Sequence, residues 1–207
     1  MYKLYWSRNT GAFAPQAMLE EIGADYEKLV VDTDTGAHRT ADFLEINPMG
    51  QIPALVSPDG TLLTESMAMV LQLGDRHPEA GLLPAVGSAE RATLYRWLLF
   101  MSTNIYDAAL RYYYSDRYTS DPDGAVGVKT AALRDMDRYW AVLASAIADG
   151  PHLVGDRFGA GDIYLTMLAT WHPDGTRLFA EQPSIKAVFD LAAARPAVAK
   201  VLAEHTG

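Results

Sequence analysis

Asn47-Pro48-Met49-Gly50-Gln51-Ile52-Pro53-Ala54-Leu55-Val56, Ser57-Pro58-Asp59-Gly60 and Thr61-Leu62-Leu63-Thr64-Glu65-Ser66 form one continuous stretch that punctuates itself. Asn47 precedes a proline, which drives it out of the helical region, so a short helix over 40–46 ends there. Gln51–Val56 and Thr61–Thr64 are apolar-rich runs on either side of Ser57-Pro58-Asp59-Gly60. That proline and Asp-Gly pair suit a tight reversal between antiparallel strands. Beyond Ser66, the residues Met67, Val70 and Leu71 fall at helical spacing, with Gly74 near the end. The stretch therefore reads as helix, strand, hairpin, strand, helix.

Working outward, Tyr2–Trp6 reads as a short buried strand, and Ala14, Met18 and Ile22 follow at helical spacing before Gly23. Tyr26–Val31 is a second strand, bounded by the polar run Asp32–Arg39. The order through residue 77 is β-α-β-α-β-β-α. Two prolines and two glycines between His77 and Gly87 mark a linker at 78–87. Everything after it reads as helical. Ser88 caps a long helix extending to the tyrosines near Tyr114. Val128, Ala132, Met136, Tyr139, Leu143 and Ile147 form a second stripe, ended by Gly150-Pro151. Shorter helices follow over 161–171, 184–194 and 197–203. The chain thus divides into 1–77, a linker at 78–87 and a helical domain at 88–207. Tyr5 is expected to face a core, because neighbouring strand residues alternate sides.

Hydrophobic residues make up 49% of the 207 and charged residues 21%, as in an ordinary globular enzyme. A net charge of −9 repels nucleic acid and acidic membranes, so neither is an expected partner. There is no cysteine, which removes disulfides, cysteine zinc sites and a cysteine nucleophile. Any thiol chemistry must use a thiol carried by the substrate. No apolar run approaches the ~20 residues of a membrane-spanning helix, and the N-terminus lacks a signal-peptide core, so a cytoplasmic protein is expected.

Gly36-Ala37-His38-Arg39, then Asn47 to Leu55, then Asp59 to Ser66, in that order, resemble the cytosolic glutathione S-transferases. Gly155-Asp156-Arg157-Phe158-Gly159-Ala160-Gly161-Asp162-Ile163 resembles their helix-start motif, so the likeness spans essentially the whole chain. The resemblance implies an α/β thioredoxin-like N-terminal domain, an all-α C-terminal domain and a homodimer. It implies glutathione as cosubstrate, with no metal, and a small electrophile as the second substrate. It also implies a cis Pro53, with Ile52 presenting its backbone to the cysteinyl part of glutathione. Glu65 and Ser66, where a strand gives way to a helix, would bind the γ-glutamyl group, since backbone N–H groups and the helix dipole favour an anion there. Gln51 would hold the tripeptide backbone, and His38 and Arg39 the glycine carboxylate. Capping by Ser66, an edge-strand role for Pro53 and a solvated His38-Arg39 pair are the structural alternatives. In Asp162 the motif keeps its acidic helix cap, but Gly159 replaces the Ser/Thr partner.

Conjugation needs a thiolate. Lowering a thiol pKa from ~8.5 to ~6.5 raises the ionised fraction at neutral pH from a few per cent to about three quarters. The loop Trp6-Ser7-Arg8-Asn9-Thr10-Gly11-Ala12 lies where the family places its thiolate-stabilising residue, and here the sequence departs from the family. Aligned with beta-class bacterial enzymes, Gly11 falls at the cysteine. Aligned with phi-like enzymes, Thr10 falls at the serine. Thr10, Ser7 and Asn9 are the candidate donors, with Thr10 expected ahead of Ser7 because it adjoins the next helix; local turn capping is the alternative for Thr10 and Asn9. Tyr106, Tyr113 and Tyr114, within a cluster including Tyr112 and Tyr118, are the candidate electrophile-binding residues, with Phe13 and Trp171 behind them; helix packing is the alternative for the tyrosines. The leading function is conjugation of glutathione in detoxification. A glutathione-dependent isomerase, dehalogenase or ether-cleaving enzyme and a noncatalytic glutathione-binding or protein-interaction module are the competing readings.

Overall fold

Alternation builds the first strand. Along β1 (Tyr2–Trp6) the side chains of Tyr2, Leu4 and Trp6 are buried and Lys3 is exposed. Tyr5, half-buried on the other face, meets Phe43 edge-on with ring centroids 5.9 Å apart. The protein, a computed structural model, is described at residues 1–147 and 150–207. It comprises two compact units, Met1–Leu83 with Ala193–Gly207, and Pro84–Ala192.

In the first unit, β1 is followed by α1 (Phe13–Ile22), β2 (Tyr26–Val30), α2 (Ala41–Ile46), β3 (Ala54–Val56), β4 (Leu62–Leu63) and α3 (Ser66–Arg76). The sheet order is β2-β1-β3-β4. β1 runs parallel to β2, with Tyr2 opposite Tyr26 and Trp6 opposite Val30. β3 is antiparallel to both neighbours, with Tyr5 opposite Ala54 and Leu55 opposite Leu63. This is the mixed four-stranded sheet of a thioredoxin-like domain. Thr40 caps α2 by accepting the Phe43 N–H. The hairpin strands are shorter than the sequence suggests. Pro53 has no N–H to give a ladder, and the Gln51 carbonyl accepts instead from the Asn47 side chain at 2.8 Å.

The second unit holds α4 (Ala89–Phe100), a π-helical turn at Met101–Tyr106, α5 (Asp107–Tyr113), α6 (Ala125–Ala146), α7 (Ala160–Ala169), α8 (Gly175–Glu181) and α9 (Pro183–Ala193). The expected single helix from Ser88 to Tyr114 is thus interrupted. Side chains support the widened turn: Thr103 Oγ1 donates to the Leu99 carbonyl at 2.8 Å, and Asn104 Nδ2 to the Phe100 carbonyl at 3.0 Å. α6 stops at Ala146, before the expected Gly150-Pro151; Ala148 and Asp149 lie outside the described residues. α7 starts on Asp162, whose carboxylate accepts the Leu153 and Gly159 N–H groups, both at 2.8 Å. Burial pushes the Asp162 carboxyl up, against these bonds and the nearby His152.

α10 (Pro196–Thr206) was expected within the helical domain, but it belongs to the first unit. It packs on α1 through buried Val198, Val201 and His205, flanked by the ion pairs Arg195–Glu21 and Lys200–Glu20, both at 2.6 Å. Among the described residues, no helix is long and apolar enough to cross a membrane.

Candidate active site

The strand register gathers the candidates at one end of the sheet. Continuing the β1–β3 ladder two residues past Tyr5↔Ala54 brings Ser7 opposite Ile52, and continuing β3–β4 past Leu55↔Leu63 brings Pro53 opposite Glu65. β2 is tied in at the same end, where Val31 N donates to the Trp6 carbonyl at 2.8 Å and the Ser7 and Thr33 hydroxyls lie 3.1 Å apart. The N-termini of α1 and α3 both open there, as the chain leaves β1 and β4.

Within the loop, Thr10 Oγ1 donates to the Ser7 carbonyl at 2.7 Å and accepts the Ala12 N–H at 3.3 Å. That is a turn-capping role, and it commits the only hydroxyl hydrogen threonine has. The expectation that Thr10 donates to sulfur is therefore opposed by its own geometry. Ser7 is buried, and its hydroxyl keeps its hydrogen when Thr33 donates. Asn9 is exposed at φ 53°, a left-handed conformation that asparagine tolerates.

Asn47 shapes the next segment. Besides holding the Gln51 carbonyl, its Oδ1 accepts the Met49 N–H at 3.1 Å. Gly50 has φ +59°, and a Cβ there would lie 2.9 Å from the His38 carbonyl and 3.0 Å from Arg39 Nη1. Only glycine lets this segment close on the His38-Arg39 turn. Arg39 is exposed and donates to the Met49 carbonyl at 3.3 Å, leaving most of its fork for a ligand. Gln51 is exposed, Ile52 and Pro53 are buried, and the Ile52–Pro53 peptide is cis. Glu65, exposed before α3, holds φ 63° and ψ 107°, a conformation costly for a residue with a Cβ. Ser66, buried, is the first residue of α3.

The aromatic candidates divide between the two units. Phe13 is 1% exposed in the first unit's core, edge-on to His205, with no surface left for a ligand. In the second unit, Tyr106 stands edge-on to Trp171 with centroids 4.9 Å apart, and the Tyr113 hydroxyl donates to the Trp171 carbonyl at 2.9 Å. Tyr113 and Tyr114 are exposed, and Arg117 covers the Tyr114 ring. Sequence reasoning passed over Trp6, Gln16 and His205, which share a buried hydrogen-bond network. Two signals were available: Gln16 is a lone polar residue among apolar ones in α1, and His205 continues the stripe of Val198 and Val201.

Fold and site together describe a thioredoxin-like unit, with the candidate residues at the sheet end where its helices begin, followed by a helical unit. Residues 1–71 match the family model for the glutathione S-transferase N-terminal domain. Glutathione S-transferase 3 of Zea mays is 35% identical over 195 residues, covering 90% of this chain and 86% of the maize protein. The crystal structure of a glutathione transferase homologue from sulfitobacter, with bound glutathione, superposes with a TM-score of 0.90 at 26% identity over 97% of this chain and 96% of that one. A sphingomonad glutathione S-transferase complexed with glutathione gives 0.83 at 32% identity over 99% and 100%. The chain belongs to the glutathione S-transferase family.

Proposed function

We propose that this protein conjugates the thiol of glutathione to small, partly aromatic electrophiles, as a cytoplasmic homodimer serving detoxification. The observation that carries this reading is the convergence of Ser7, Ile52-Pro53, Glu65-Ser66 and, through Gly50, His38-Arg39 at one sheet end. The γ-glutamyl carboxylate takes the N–H groups and dipole at the start of α3, with the Ser66 hydroxyl donating and Glu65 receiving the amino group. Ile52 pairs its backbone with the cysteinyl residue, Gln51 holds the peptide, and Arg39 with His38 takes the glycine carboxylate. The sulfur then falls near Ser7, the residue facing Ile52 in the continued register. Donation from Ser7 stabilises the thiolate, which attacks the electrophile. Exposed aromatic surface at Tyr113 and Tyr114, with Tyr106 beside Trp171, supports flat apolar substrates.

A noncatalytic glutathione-binding module is the second reading, and the engagement of Thr10 with Ser7 favours it. Calorimetry and turnover of a chloro-dinitrobenzene decide. Millimolar or tighter glutathione binding is expected, weakened about tenfold or more in Gln51→Ala/Ser66→Ala with the fold retained. Unchanged affinity in that double variant refutes the assigned site. Binding without turnover in the parent protein supports the module.

A further inference from the structure

We propose that His205, from the C-terminal helix α10, is a positioning residue for the thiolate-activating loop, acting on both of its flanks through Trp6 and α1. The proposal rests on the transferase reading for its catalytic consequence, but not for its geometry. The loop 7–12 has Trp6 immediately before it and Phe13 immediately after. His205 touches both rings, edge-on at 5.0 Å from Trp6 and 5.4 Å from Phe13. Its Nε2 accepts the Trp6 indole N–H at 2.8 Å, and the same N–H is shared with Gln16 Oε1 at 2.7 Å. Gln16, one turn into α1, in turn donates to Glu204 at 2.8 Å and to the Tyr26 hydroxyl at 3.3 Å. Lys28 on β2 completes the enclosure, 4.7 Å over the Trp6 ring and 2.5 Å from Glu204.

Nδ1 of His205 has no hydrogen-bond partner among the described residues. Among the described residues, the polar contacts of the imidazole therefore go to Trp6 and Gln16. The 2.8 Å contact between two nitrogens is attractive only when His205 Nε2 lacks a hydrogen, so the ring is neutral with its hydrogen on Nδ1, and the 3.1 Å approach of Nε2 to Gln16 Oε1 is that of two acceptors sharing the one Trp6 N–H. Burial supports that state by holding the imidazole at about 4. The role is distinct from bulk packing. Val198 and Val201 hold α10 on α1, whereas His205 reaches past α1 to the last residue of β1 and fixes where Ser7 emerges.

The test uses the full chain and three variants, His205→Phe, His205→Gln and Trp6→Phe, each shown to be folded by circular dichroism. Ultraviolet titration of bound glutathione reads the thiolate, and amide hydrogen exchange reads residues 8–12. His205→Phe is expected to raise the bound thiol's apparent pKa by about one unit and to lower kcat about tenfold at neutral pH, with KM for glutathione changed less than about threefold. Exchange at 8–12 should accelerate about tenfold. His205→Gln, whose Oε1 reaches the former Nε2 position and accepts from Trp6, should restore both readouts. A folded His205→Phe that titrates and exchanges like the parent overturns the proposal, as does His205→Gln behaving like His205→Phe. Should His205→Phe not fold, Trp6→Phe removes the donor while keeping a ring, and parent-like behaviour there is equally fatal. If the parent binds glutathione without lowering its thiol pKa, the transferase reading fails, and the exchange data alone judge the positioning role.

Discussion

A threonine hydroxyl carries one hydrogen, and at Thr10 that hydrogen goes to the Ser7 carbonyl. Donating to a thiolate would strip the loop of its brace, so catalysis and local structure compete for the same atom. Ser7 has no such conflict, because Thr33 is able to donate across their 3.1 Å contact and leave the serine hydrogen free. Ser7→Ala is expected to raise the bound thiol's pKa and to slow turnover roughly ten- to a thousandfold, with glutathione affinity little changed. Thr10→Val should chiefly lower thermal stability, by about 1 kcal/mol for the lost hydrogen bond. Titrating both variants by thiolate absorbance discriminates: a shift confined to Thr10→Val returns the donor role to Thr10. The sequence puts forward Ser7, Asn9 and Thr10 as the candidate side-chain donors of the loop. It could not rank them, because the ranking depends on where one hydrogen points.

At the scale of elements, hairpin and helix ends were legible wherever local chemistry writes them, as at Ser57-Pro58-Asp59-Gly60 and at Thr40. The unforeseen pieces lack such marks. α8 has seven residues, its Asp174 cap following a proline in a run that reads as loop. The π-turn leaves apolar spacing nearly intact. α10 was legible as a helix, but its attachment to α1 rests on residues 174 to 189 positions apart, for which no local signal exists. That attachment has a pH signature. Burial lowers His205 from 6.5 to about 4, opposed by Glu204 and reinforced by Lys28 and Arg8, so the unfolded chain binds the proton more readily. The resulting stability is complete above about pH 6.5 and is lost as pH falls towards about 4, by up to about 3 kcal/mol. Asp162, pushed up by burial, acts in the opposite sense, so the comparison must be differential. Denaturant midpoints at about pH 7.5 and about pH 4.5 should fall further in the parent protein than in His205→Gln. Parallel falls would show that His205 does not stay neutral in the folded state.

For the whole molecule, the punctuation between His77 and Gly87 marks the expected linker, and the two compact units part at Leu83–Pro84. What the punctuation cannot convey is that the chain returns, so that one unit is built from both termini. Each unit also leaves apolar side chains in water. Met49 and Leu62 of the first are 63% and 42% exposed, and Tyr95 and Leu99 of the second, four residues apart and so on one face of α4, are 39% and 50% exposed. Isolated exposed hydrophobes need no explanation, but an apolar face on α4 suits burial in a partner. A stable association typically buries about 1,200–2,000 Å² in total, within reach of a surface of 10036 Å². Light scattering at micromolar concentration is expected to give about twice the 22.6 kDa chain mass. Leu99→Glu places a charge on that face without touching the core, so it should shift the mass towards the single chain while the circular dichroism spectrum stays unchanged. A parent protein that scatters as a clean monomer removes the dimer. A dimer indifferent to Leu99→Glu moves the interface away from this face of α4.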